Sequence, residues 1–127
     1  MDIKELSRNL SLNNISAYSG FNFGGCEHFP RIELGKYAIS IQASDSHYSS
    51  PRTNLATVGD YKTVEVGLFF QDEFITPDKL ASLNVSWAED FDSGVAGYIP
   101  LERVQVIVDY FEALDNMDKL MRKMNNH

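Results

Sequence analysis

Tyr61-Lys62-Thr63-Val64-Glu65-Val66-Gly67-Leu68-Phe69-Phe70 is the stretch whose reading decides the fold. Val64, Val66, Leu68 and Phe70 fall on alternate positions, and a period of two marks a strand with one face turned to a core. Residues 33–43 repeat the pattern upstream. Tyr37, Ile39, Ile41 and Ala43 share one parity, and Ala38, Ser40 and Gln42 the other. The two strands are joined by the polar, turn-rich stretch 45–60, with Ser49-Ser50-Pro51-Arg52 at its centre. Alternating strands of this kind indicate an antiparallel sheet.

Reading onward, Thr76-Pro77-Asp78 starts a short helix: Thr as N-cap, Pro at the first helical position, Asp at the positive end of the helix. It ends near Leu83-Asn84. Val85 to Trp87 reads as a strand edge, Glu89 to Gly94 as a loop, and Val95 to Ile99 as a last short strand. Pro100 then opens the clearest helix, with Leu101, Val104, Val108, Phe111 and Leu114 as its apolar stripe. The pattern continues through Met117, Met121 and Met124. Reading back from the strands, Ile3, Leu6 and Leu10 have helical spacing over residues 2–10, and Asn13-Asn14 stops that helix. Residues 15–19 alternate weakly as a strand, and 20–30 form an aromatic loop. The expectation is one α+β domain over residues 1–127, a small antiparallel sheet of about four strands packed on one face against the C-terminal helix.

Composition agrees with that class. A chain of 127 residues suits one domain, and eight Phe, six Tyr and one Trp argue against disorder. Cys26 is the only cysteine, so no intramolecular disulfide forms. No apolar run approaches the roughly 20 residues of a membrane helix, and the start of the chain lacks the apolar core of a signal peptide. A soluble, cytoplasmic protein is expected.

The net charge of −7 is unevenly spread. Residues 1–70 sum to −1, residues 71–118 to −9, and the last nine to +3. Asymmetry of this kind bears on partners and solubility, not on fold. Glu89, Asp90 and Asp92 stand beside Trp87 and Phe91, with Asp72 and Glu73 further upstream. Carboxylates flanking a saccharide cleft cleave glycosides, but a chain this short leaves little room for the cleft. The loop Asp90-Phe91-Asp92-Ser93-Gly94 also lacks the spaced oxygens and closing Glu of a calcium loop. Aromatic anchors among acids are instead the pattern of a protein-binding patch steered toward a basic partner. Trp87, Glu89, Asp90, Phe91, Asp92, Asp72 and Glu73 are the expected partner-binding residues.

Other chemistry is thinly represented. Cys26 and His28, with His47 further on, lack the paired spacing of a zinc site and any signature of a cysteine nucleophile. The bland reading makes them a loop cysteine and surface histidines. Gly24-Gly25 is followed by Phe29-Pro30 and a strand, whereas a phosphate-cradling loop opens a helix. Lys119, Arg122 and Lys123 are the sole basic cluster, which disfavours direct nucleic-acid binding. Ser46 to Arg52 is the most hydrogen-bond-rich loop, of a kind that holds ligands when it does more than connect.

Tyr48–Arg52, Tyr61–Phe69 and Gly97–Tyr110 resemble the texture of small phage-encoded accessory proteins of the anti-CRISPR and anti-restriction type. That resemblance implies a short, acidic, non-enzymatic inhibitor of host defence that occupies a basic nucleic-acid-binding surface. It assigns no individual residue. The expected function is therefore an acidic binding protein that is not an enzyme and needs no cofactor or metal. The alternative is a small enzyme or a metal- or ligand-binding domain using the Cys26, His28 and His47 loops. Self-association as a homodimer through the Met117, Met121 and Met124 face of the C-terminal helix is a further expectation. The inhibitor reading requires the acids of the second half to gather on one side of the molecule.

Overall fold

A computed structural model describes residues 1–8 and 29–125. Strand β3 (Thr63–Phe70) lies at its centre. Along one edge it pairs with β2 (Tyr37–Gln42), Ile39 opposite Leu68 and Gln42 opposite Glu65. β2 in turn pairs with β1 (Ile32–Leu34). Along its other edge β3 takes β4 (Glu73–Phe74) at its end and β5 (Val95–Pro100) at its beginning. All pairings are antiparallel. With helices α1 (Pro77–Ser82) and α2 (Leu101–Asn125) the molecule is α+β, a five-stranded sheet and a long C-terminal helix. No helix among the described residues is long and apolar enough to cross a membrane.

Local signals place several of these elements. Thr76 caps α1, its Oγ1 accepting from the Lys79 N–H at 3.2 Å, and Pro77 holds the first helical position. The helix stops at Asn84, whose φ of +53° is the left-handed conformation that Asn tolerates. Three segments differ from their sequence-based reading. Residues 33–43 are two strands, not one, because Gly35 turns the chain with φ of +66°. The turn also needs glycine for space: a Cβ there would stand 2.6 Å from Asp115 Oδ1. Residues 2–10 do not form a helix through Ser7. Only Ile3–Glu5 makes a 3-10 turn, and Ser7 then bridges to Thr57. So short a helix is marginal alone, and pairing with 56–58 supplies better partners: Arg8 N–H to Ala56 O at 2.8 Å, Val58 N–H to Leu6 O at 2.9 Å. Finally, Ser86–Asp90 is a 3-10 turn, not a strand edge. The expected strand at 15–19, the glycine-rich loop and Leu10 lie outside the described residues.

One face of the sheet meets α2. Ile39, Ile41, Val64, Val66 and Leu68 join Val104, Ile107, Val108 and Phe111 in a single core. The opposite face, although its parity in β2 is polar, is not open to water. Ala38, Ser40, Gln42, Glu65 and Phe69 are all buried. A polar face is buried at low cost only when its groups are hydrogen-bonded. Gln42 meets that condition by bracketing Phe29: its Oε1 accepts from the Phe29 N–H at 3.1 Å and its Nε2 donates to the Phe29 carbonyl at 2.9 Å.

The pairing of β3 with β5 slips at Glu65, which faces the bulged pair Gly97-Tyr98. Tyr98 has φ of +54°, and its N–H donates to the Tyr48 carbonyl at 2.9 Å. Gly97 lets that loop approach, since a Cβ on it would lie 2.7 Å from Tyr48 Cβ. Gly97→Ala should therefore push the loop off the bulge and lower stability by about 1–3 kcal/mol. Chemical denaturation with an unshifted midpoint would show that the close approach carries no stability.

Candidate functional site

Trp87 organises the acidic surface from beneath. Its ring meets Phe91 at 5.9 Å, Tyr110 at 5.7 Å and Phe111 at 5.7 Å, each edge to face. Such contacts add about 0.5–1.5 kcal/mol each beyond area burial, and together they clamp the 86–91 segment onto α2. With the indole turned inward, Glu89 and Asp90 are left on the outside. Asp90 Oδ2 accepts from Arg103 Nη1 at 2.9 Å. Glu102 adjoins on the first turn of α2, where a carboxylate suits the positive end of the helix. Glu89, Asp90, Glu102 and Arg103 thus line one open depression of about 540 Å³, with Trp87 and Val106 in its wall. Three carboxylates face one guanidinium. Neither Glu89 nor Glu102 has an ion pair among the described residues, so the depression stays negative.

The expected binding residues are divided by the fold. Trp87 is 7% exposed and serves as the floor, not as a free anchor, because Tyr110 and Phe111 of α2 and Phe91 pack around it. Phe91 is half-buried against it. Asp92 is exposed beyond the 3-10 turn and closes a small bridge with Val95. Asp72 and Glu73 stand elsewhere, at the β3–β4 turn, where the Gln71 N–H meets the Lys36 carbonyl. Glu73 and Lys79 line a separate small hollow there. Other acids are engaged within the chain: Glu112 with the amino terminus at 3.1 Å, Asp115 with Lys119 at 3.0 Å, Asp118 with Arg122 at 2.7 Å. The negative second half is therefore partly gathered and partly neutralised. Glu102 and Arg103 escaped the sequence reading, since only the packing of Trp87 joins residues thirteen apart, as Asp90 and Arg103 are.

Compared with protein-family models, curated proteins and solved structures, the chain finds no match.

The alternative site is reached only at His47, because Cys26 and His28 lie outside the described residues. His47 is not the surface histidine that the sequence suggested. It is fully buried, with Nδ1 2.6 Å from Ser44 Oγ. Among the described residues no three His, Cys, Asp or Glu side chains assemble as metal ligands. The polar 46–52 loop is likewise part of the fold. Ser49 is buried, the Ser50 N–H donates to the Thr63 carbonyl at 3.1 Å, and the Lys62 N–H to the Ser50 carbonyl at 2.7 Å.

That loop docks on Glu65, a buried carboxylate in the middle of β3. Its Oε2 accepts from the Tyr48 N–H at 2.9 Å, while Oε1 has no hydrogen-bond partner among the described residues. Burial pushes the Glu65 carboxyl above the ordinary glutamate range, and the Tyr48 N–H and the charge of Arg52 only partly oppose it. The folded state thus holds this proton more tightly than the unfolded chain. The stability it contributes is complete below the ordinary glutamate value and is lost as pH rises through the raised one. Glu65→Gln keeps an acceptor for Tyr48 and cannot titrate. Its melting temperature relative to the parent should rise as pH climbs above the ordinary glutamate value and level off above the raised one. Two parallel melting curves across that range would exclude a raised carboxyl.

Proposed function

We propose that the protein is a non-enzymatic acidic binding protein whose Glu89, Asp90 and Glu102 depression engages a cationic protein surface. It acts by occupancy: carboxylates stand where the partner would hold phosphates, and the competition is steered by long-range charge. The observation that carries this reading is the convergence of three carboxylates from two elements on one exposed hollow, opposed by Arg103 alone. Trp87 and Phe91 support it by fixing the 86–91 segment, so the charged groups are presented with little ordering left to lose on binding. In the form that the resemblance to phage accessory proteins suggests, the occupied surface is the nucleic-acid groove of a host defence complex, and the protein is an inhibitor acting in the host cytoplasm.

The hollow contains the chain's only tryptophan in its wall, so intrinsic fluorescence reports on it directly. Titration with an oligolysine peptide at low salt should change Trp87 emission and saturate, and added salt should weaken the complex. The double variant Glu89→Lys/Glu102→Lys should weaken binding by about tenfold or more, mainly through slower association. Asp72→Lys/Glu73→Lys makes the same change in net charge at the distant turn and should weaken it by less than about threefold. Equal losses in the two variants would mean that net charge alone attracts the peptide, and the hollow would lose its role.

A further inference from the structure

Helix α2 carries a second apolar stripe that its own domain leaves uncovered. Asp115 is the last buried residue of the helix. Beyond it Met117, Leu120, Met121 and Met124 are 58–64% exposed, and Val106 is 56% exposed nearer the start. With half-buried Tyr110 and exposed Ala113, the positions Val106, Tyr110, Ala113, Met117, Leu120 and Met124 advance by alternating steps of four and three. That is the 3.5-residue repeat of a coiled-coil seam, sustained over about 27 Å of helix. Val106, Ala113, Leu120 and Met124 of this stripe are exposed, while Tyr110 is half-buried against Trp87 and Met117 also lines an open hollow with Leu34, Tyr37 and Phe70.

We propose that this seam is a self-association surface, on which α2 of a second copy of the chain packs antiparallel. Charge complementarity selects a second copy and the antiparallel sense. When Met117 is set opposite Ala113, the remaining layers follow: Tyr110 opposite Leu120 and Met124 opposite Val106. Each layer pairs a longer side chain with a shorter or branched one, as close packing of a seam requires. In the same register Asp109 flanks the seam across from Lys123 of the other copy, and the two-fold axis makes that pair twice. Within its own chain Asp109 meets only Gln105, at 2.9 Å, and Lys123 has no ion pair among the described residues. A parallel pair would set Asp109 beside Leu114 and bring both basic helix ends together. Antiparallel pairing also opposes the helix dipoles. The interaction is isologous and closes as a dimer, and its end layer shares Val106 with the wall of the acidic hollow.

The test uses the full chain in sedimentation equilibrium. The parent should be dimeric at tens of micromolar, as expected for standard interfaces. Leu120→Glu, at an exposed position, should give a monomer with unchanged helix content and melting of the sheet core. Asp109→Lys and Lys123→Asp should each weaken the dimer by about tenfold, and the combined exchange should restore it to within about threefold. A monomeric parent, or a dimer indifferent to Leu120→Glu, would overturn the proposal. Failure of the combined exchange to restore affinity would overturn the antiparallel register, and with it the choice of a second copy.

Discussion

The structure depends on β3 being paired along both edges and buried on both faces. A strand so placed has no open backbone groups, and every neighbour must match its register. On one face the match is apolar, Val64, Val66 and Leu68 against α2. On the other it is polar, and it is achieved by backbone groups brought from a distance. Phe29 meets Gln42, and Tyr48 meets Glu65. The bulge at Gly97-Tyr98 belongs to the same arrangement, since it opens β5 at the level where the Tyr48 loop crosses the sheet. A long polar connection between β2 and β3 is in this way a strut of the fold.

The acidic hollow is a consequence of that core. α2 must lie across the sheet to cover Val64, Val66 and Leu68, and in doing so it offers Tyr110 and Phe111 to Trp87. The clamp leaves Glu89 and Asp90 beside the first turn of α2. Asp115 and Asp118, nominally part of the same acidic half, are drawn into ion pairs one helical turn away. The exposed Asp118–Arg122 pair contributes little stability, but both pairs offset negative charge of the second half. The charge of the second half is therefore uneven, and Glu89 and Glu102 are among its acids with no ion pair in the described residues.

α2 is asked to be two helices at once. Its first four turns have one face in the core and a second facing water. Its last ten residues have no buried member, and Met117 and Met121 line an open hollow with Leu34, Tyr37 and Phe70. A helix end of that length is marginal alone, and its Lys119 and Arg122 pairs hold it only weakly. The uncovered stripe has the repeat of a seam, while the buried stripe has the 3.6-residue period of a helix on a sheet.

By itself the sequence determined whatever depends on near neighbours. Alternation announced β2 and β3, Thr76-Pro77 announced α1, and the apolar stripe after Pro100 announced α2, because strand parity, capping and helical spacing act over a few residues. Local pattern failed where a distant partner decided the outcome. The 2–10 helix gave way to pairing with 56–58. The polar parity of β2 proved to be a buried face, His47 went inward, and Trp87 became a floor instead of an anchor. The hollow itself, made from residues 89–90 and 102–103, exists only because aromatic packing joins them. Contacts of that kind carry no periodic trace along the chain, so only the tertiary structure could decide them.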